Sequence, residues 1–267
     1  MAEFAGKVAF ITGAAHGQGR AVALALAEEG ANIVAFDVAK NLSYPAYTFG
    51  SSGELDSLKE AIEALGTRCL AIAGDVRNDA DISRAVEQTM SDFGRIDLLF
   101  NNAGICAYGL AHELQEEEWD AMLDINLKGA WLVARRVIPV MMEQKSGVII
   151  NNSSIAGLRG MGRLSHYAAS KWGLVGLTKS WAIELAHYHI RVISIHPTGV
   201  NTPMNDGLAA LEGTTTQAIA ERSAGNLLPI PWVEPDDVAG MVLYLASDKA
   251  RYVTGSQFVL DAGLLTR

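Results

Sequence analysis

The sequence predicts an α/β protein, a doubly wound parallel sheet of about seven strands with helices on both faces. Two observations carry that reading. Short apolar runs of strand length alternate along the chain with longer amphipathic runs of helical period, the pattern of a parallel sheet whose crossovers are helices. The chain has 267 residues, 49% of them apolar, enough to bury one sizeable core, and residues 1–267 are expected to form a single domain. No internal repeat, low-complexity tract or linker breaks the rhythm.

The apolar run 8–11 is expected as the first buried strand and leads into Thr12-Gly13-Ala14-Ala15-His16-Gly17-Gln18-Gly19. Glycines there permit a tight turn and close approach of backbone amides to a pyrophosphate, whose charge is favoured at the positive end of the following helix. That helix is expected over 20–29, with Gly30 as its C-terminal cap. The second strand, 32–37, ends in Asp37, where a carboxylate can accept hydrogen bonds from an adenosine ribose and repels a 2′-phosphate. Val38, not an arginine, follows it, so the expected cofactor is NAD rather than NADP; the plain alternative is a polar strand end. Residues 38–53 form a long connection containing Tyr44, Pro45, Tyr47 and Phe49. Connections of this length in compact domains are usually functional or disordered, and aromatic content argues against disorder. This one is expected to cover the adenine end of the cofactor; the plain alternative is a mobile surface loop with ordinary cofactor exchange.

Strands at 69–73 and 97–100 flank a helix at 79–93, and a helix starting near Glu116 is expected to end or kink at Pro139. After a strand at 148–150, the run Ser165-His166-Tyr167-Ala168-Ala169-Ser170-Lys171-Trp172-Gly173 reads as helical, which puts Tyr167 and Lys171 on one face. An unperturbed phenol titrates near pH ~10, and a neighbouring positive charge lowers that value. Such a tyrosine can act as acid and base near neutrality; the plain alternative is a surface pair. A strand at 192–195 precedes a second long connection, 203–235, and a helix at 237–246 and a strand at 258–260 complete the chain. Within that connection Met204, Leu208, Leu211, Leu227, Leu228, Ile230 and Trp232 offer apolar surface with few charges, suited to an uncharged substrate or to ordinary packing.

The 21 basic and 30 acidic residues leave a net charge of −9, and no basic run could follow a phosphate backbone, which argues against nucleic acid as a partner. Cys69 lies in a strand-like stretch and Cys106 just after Asn101-Asn102-Ala103-Gly104; both are expected as reduced thiols, with no metal site. The segment Met1 to Lys7 leads straight into a strand pattern and no apolar stretch reaches membrane-span length, so a cytoplasmic protein without membrane association is expected.

Together these motifs resemble the short-chain dehydrogenase/reductase family, in its single-domain branch, over nearly the whole chain. The glycine turn has that branch's spacing, Asp75-Val76 is similar to its adenine-contacting pair, and Asn102-Ala103-Gly104 to its sheet- and cofactor-supporting segment. Asn126 and Ser154, standing 41 and 13 residues before Tyr167, complete with Lys171 the spacing of its catalytic tetrad; Ser153 is one residue too far. Pro197, Val200 and Thr202 match positions that contact the cofactor, although Thr198 replaces a usual glycine and Gln18 a usual aliphatic residue. Those departures, with the insertion after Asp37 and the segment 228–234, resemble the carveol dehydrogenase subgroup, often called mycofactocin-coupled.

The resemblance implies a Rossmann-like fold, NAD as cofactor, and cofactor contacts at Gly13, His16, Gly17, Gln18, Gly19 and Asp37. It implies that Tyr167 exchanges the substrate's hydroxyl proton, that Lys171 lowers the phenol's pKa and holds the nicotinamide ribose, and that Ser154 hydrogen-bonds the reacting oxygen. Asn126 would anchor a water that passes the proton outward through Lys171. His16, His166 and His196 are not needed for proton transfer, and His187 and His189 read as surface residues at a helix end. The implied assembly is a homotetramer using helices at 116–142 and 165–188 and the segment 256–267. Trp119, Trp131, Trp172 and Trp181 would lie at subunit contacts or against the sheet. The expected activity interconverts a small hydrophobic secondary alcohol, such as a cyclic monoterpenol, and its ketone, with an external redox acceptor as a further partner. Alternatives are a polyol, sugar or oxoacyl-chain oxidoreductase, and a catalytically silent NAD-binding regulator.

Overall fold

A computed structural model describes residues 3–223 and 225–266. Among these, β1 (Val8–Thr12), β2 (Asn32–Asp37), β3 (Cys69–Ala73), β4 (Leu98–Asn101), β5 (Gly147–Asn152), β6 (Ile190–Pro197) and β7 (Gln257–Leu260) form one sheet. All neighbours pair in parallel, in the order β3-β2-β1-β4-β5-β6-β7. The chain builds outward from β1 to β3, then returns to lay β4 beside β1 and builds outward again. That reversal opens a crevice beyond the carboxyl ends of β1 and β4, where open α/β sheets bind ligands.

The helices are α1 (Gly17–Glu28), α2 (Ser52–Ala64), α3 (Asp79–Phe93), α4 (Glu116–Leu123), α5 (Ala130–Gln144), α6 (Ser165–Leu185), α7 (Pro203–Leu211), α8 (Thr216–Ser223) and α9 (Pro235–Ala246). Alternate strand residues face opposite sides of the sheet. Ala9 and Ile11 pack with Leu26 of α1, Leu58 of α2 and Val242 of α9, whereas Val8 and Phe10 pack with Ile82 of α3, Val137 of α5 and Leu185 of α6. Each such fully buried aliphatic or aromatic side chain contributes about 1.5–3 kcal/mol.

Four sequence expectations change. Helix α1 begins at Gly17 rather than Arg20, inside the glycine turn. Pro139 does not end its helix: α5 runs on to Gln144, because one lost backbone bond is outweighed by the packing of Val133, Val137 and Met141. The irregularity lies upstream, in a π turn at Asp124–Gly129 between α4 and α5. The first insertion ends at Ser51, whose hydroxyl accepts from the Glu54 amide while Glu54 accepts from the Ser51 amide; this capping box starts α2 at Ser52. Much of the second connection is helical, as α7 and α8, with Pro203 in the first turn of α7. Among the described residues no helix is long and apolar enough to cross a membrane, and no His, Cys, Asp or Glu cluster could hold a metal ion.

Candidate active site

Thr12 closes β1, and its hydroxyl accepts from the amides of Asn102 (2.9 Å) and Ala103 (3.0 Å), tying β1 to the segment after β4. Gly13 then takes φ +65°, and a Cβ there would lie 2.9 Å from Ala103 Cα, so only glycine fits this approach. A Cβ on Gly19 would overlap the Gly13 carbonyl oxygen, so α1 can start against the turn only with glycine at that position. The resulting cleft ends at the N-terminus of α1, which favours an anionic group.

Of the residues expected at the cofactor, Gly13, His16, Gly17, Gln18, Asp37, Asp75, Val76, Asn102, Ala103, Gly104, Tyr167, Lys171 and Thr202 line this cleft. Gly19, Pro197 and Val200 do not: Gly19 is covered by the turn, Pro197 closes β6, and Val200 is core, bridged to Val233. The buried Asp37 carboxylate accepts from the amides of Ala15 and Ala39, 3.0 Å each. Burial pushes the Asp75 carboxyl up, but hydrogen bonds from Arg77 hold it below the usual carboxylate value. Thr198 amide donates to the Leu260 carbonyl at 2.9 Å and its φ is not positive, so replacing the usual glycine causes no strain.

The π turn presents Asn126 to the segment after β4. Its Oδ1 accepts from the Ile105 amide (2.8 Å), and its Nδ2 donates to the Ile105 carbonyl (2.9 Å) and to Ser170 Oγ (3.2 Å). Both amide hydrogens are therefore committed to protein partners. The side chain thereby fixes the turn beside Gly104. Ser154 opens a 3₁₀ turn at Ile155–Gly157, and its carbonyl is held by His196 Nδ1 at 2.8 Å. Ser153 Oγ donates to the Lys171 carbonyl (2.9 Å), the structural role its spacing suggested.

Tyr167 and Lys171 share one face of α6, with the ammonium nitrogen 5.5 Å from the phenol ring centre. Burial pushes the Tyr167 phenol up, opposed by a hydrogen bond with Ser154. Burial also pushes Lys171 down, from 10.5 to about 8. Desolvation is the largest influence on both groups; it disfavours the phenolate and weakens the hold of Lys171 on its proton. Lys171 Nζ donates to the Asn152 carbonyl (2.8 Å), Asn152 Nδ2 donates to Gln18 Oε1 (2.9 Å) and Asn102 Oδ1 (2.8 Å), and Asn102 Nδ2 donates to the carbonyls of Thr12 and Gly13 (3.0 Å each). Backbone carbonyls can only accept, so the direction of this amide chain is fixed. It gives Gln18 a partner and leaves Asn152 Oδ1 buried with none in the protein.

Beside Tyr167, Met204 and Leu208 of α7 join Cys106, Tyr108, Met161 and Leu164 in a small apolar cluster. The other apolar residues of the second connection are placed differently. Leu211, Leu227, Leu228 and Ile230 are exposed, and the Trp232 indole lies against Gly199. Cys106 is buried in the cluster, and burial pushes its thiol up to about 12, which disfavours the reactive thiolate while the cluster stays closed.

The family model described as enoyl-(acyl carrier protein) reductase matches residues 13–265. The chain is 42% identical to a (-)-trans-carveol dehydrogenase of Rhodococcus erythropolis, over 98% of this chain and 99% of that one. The chain belongs to the short-chain dehydrogenase/reductase family. A carveol dehydrogenase from Mycobacterium avium, crystallised in complex with NAD, superposes with a TM-score of 0.95 at 34% identity over 100% of both chains. A short-chain dehydrogenase from Mycobacterium paratuberculosis bound to NAD superposes with a TM-score of 0.92 at 36% identity, over 99% of this chain and 100% of that one.

In this short-chain oxidoreductase, sequence reasoning missed several groups of the site. Phe36, Gly74, Ile105 and Asn152 all line the cleft. Asn152 stood in the sequence as an unexplained polar residue at the end of an apolar strand, a usable signal; the apolar ones carry none, because a cleft wall and a core look alike in sequence. The insertion also reaches further than expected. Leu42 and Phe49 line the cleft with Asp37, but Tyr44 Oη meets His166 Nε2 at 3.2 Å and Tyr47 Oη accepts from the Cys106 amide at 3.3 Å, both beside the tyrosine end.

Proposed function

We propose that this protein is an NAD-dependent oxidoreductase that interconverts a small hydrophobic secondary alcohol, such as a cyclic monoterpenol, and its ketone. The observation that carries the reading is one cleft that runs from the glycine turn and Asp37 to Tyr167 and Lys171, and ends against the apolar cluster of Cys106, Leu164, Met204 and Leu208. The residues fit a dinucleotide: a glycine cradle that a Cβ would fill at Gly13, a helix N-terminus for the pyrophosphate, and Asp37 for the adenosine ribose. Bound NAD supplies hydride acceptance and a positively charged ring. Lys171 would hold the nicotinamide ribose, and Asn152 Oδ1 is a buried acceptor free for a further donor.

Tyr167 Oη takes the carbinol proton in oxidation and returns it in reduction, while the Ser154 hydroxyl hydrogen-bonds the same oxygen and stabilises charge developing there. Tyr167, whose burial otherwise keeps the phenol protonated, would be ionised more readily with the positive charge that NAD would bring to the cleft. The uncharged, apolar wall suits a hydrocarbon ring and leaves an ionic substrate without a partner. Screening purified protein against secondary alcohols, with NAD, NADP and an artificial electron acceptor, tests the reading. Turnover of cyclic alcohols with a clear preference for NAD is expected; equal use of NADP would remove the role given to Asp37.

A further inference from the structure

We propose that the insertion between β2 and α2 is a wall of the substrate site, and that Tyr47 sets the size of alcohol or ketone the site admits. The proposal rests on the oxidoreductase reading above and adds a residue far from the catalytic motifs. Tyr47 does not line the cleft at the Asp37 end, as Leu42 and Phe49 do. Its hydroxyl accepts from the Cys106 amide at 3.3 Å, and Cys106 belongs to the cluster beside Tyr167. Its ring lies on α7: a Cβ at Gly207 would stand 2.6 Å from Tyr47 Cγ. On that helix Met204, Gly207 and Leu208 share one face, so the ring contacts the face that presents Met204 and Leu208 to the cluster.

Tyr47 therefore spans the gap between α7 and the segment around Cys106 and holds the two apart at one separation. It is fixed at both flanks. Phe49 stacks on it with ring centres 4.9 Å apart, and the Phe49 amide donates to Asn41 Oδ1 at 3.0 Å. On the other side Tyr44 Oη meets Nε2 of His166, a fully buried residue next to Tyr167. Tyr47 and Tyr167 are both packed against the same core cluster. Removing the ring opens space between α7 and Cys106 for a bulkier substrate; removing only the hydroxyl frees the Cys106 amide and loosens the wall.

The test compares wild type, Tyr47→Phe and Tyr47→Ala on secondary alcohols of increasing ring size, and follows alkylation of Cys106 by iodoacetamide, with the sheet residue Cys69 as internal control. Tyr47→Ala is expected to raise the ratio of kcat/KM for the largest over the smallest alcohol at least ~10-fold, the scale on which apolar pockets discriminate. It should also speed Cys106 alkylation at least ~10-fold without affecting Cys69, an opening of at least about 1.4 kcal/mol. Tyr47→Phe should raise KM roughly fivefold, the loss of one ordinary hydrogen bond, with kcat unchanged. An unchanged size order and unchanged Cys106 alkylation in folded Tyr47→Ala overturn the proposal. If Tyr47→Ala unfolds, seen as Cys69 alkylation, the Tyr47→Phe kinetics decide, and an unchanged KM overturns it. If wild type oxidises no member of the series, the substrate reading fails separately, and Cys106 alkylation alone decides the wall.

Discussion

Tyr167 illustrates how burial and charge compete at a single residue. Burial raises its phenol and brings Lys171 down to about 8, so at neutral pH the phenol keeps its proton while Lys171 is still largely an ammonium, and a further positive charge would favour the phenolate. Replacing Tyr167 by Phe keeps the ring and removes the ionisable oxygen; turnover should fall at least ~10²-fold with NAD binding and folding little changed, in steady-state kinetics and ligand titration. Lys171 gives a second expectation. Its folded pKa lies below the ordinary 10.5, so the unfolded chain binds more protons between about 8 and 10.5. The native state therefore carries the full penalty of a buried ammonium below about pH 8 and loses it as pH rises toward 10.5. Denaturant midpoints should favour Lys171→Met over wild type most at pH 7, with the margin shrinking by pH 9.5; a margin independent of pH would contradict the assigned burial effect.

At the scale of elements, the π turn and the insertion give the site its shape. The π turn places Asn126 where a regular helix would not, and Asn126 repays the irregularity by bonding both polar groups of Ile105 and the Ser170 hydroxyl. Asn126→Ala leaves the Ile105 amide buried without a partner, and should lower stability by about 2–4 kcal/mol in urea unfolding. A loss under about 0.5 kcal/mol would mean that the turn is held by packing instead. The alternation of strands and helices was legible because burial on both faces forces apolar runs into the sequence, and Gly30 indeed follows the C-cap of α1 at φ +89°. Helices α7 and α8 were not legible: a short amphipathic helix outside the main core has too few buried positions to impose a strong period.

At the scale of the whole molecule, surface composition points to association. Helix α6 is apolar almost all round, with Leu174 and Leu185 buried, Trp172 half exposed and Ile183 80% exposed; α5 adds an exposed Trp131, whereas Trp181 is buried against the sheet. We propose that these surfaces meet in a homotetramer, which light scattering at micromolar concentration should show; a monomer alone would contradict it. We also propose that the insertion, bonded to Ala15 through Asp37 and to α6 and Cys106 through its tyrosines, slows departure of NAD, so that an external acceptor reoxidises it in place. Protein passed through gel filtration should retain NAD, and cofactor-free protein that turns over rapidly with added NAD would refute retention.

The sequence by itself determined the parallel sheet, the glycine turn, Asp37 and the tyrosine–lysine pair, because each is a local requirement. A strand must be apolar to be buried on both faces, a turn needs glycine where φ is positive, and a helix places i and i+4 on one face. Tertiary structure alone decided which groups meet across the chain. It put Asn152 between Lys171 and Gln18, engaged both amide hydrogens of Asn126, and carried Tyr44 and Tyr47 past the adenine end to His166 and Cys106. It also set how deeply Tyr167 is buried, since how far a charge is removed from water depends on every element packed around it and not on the neighbour four residues away.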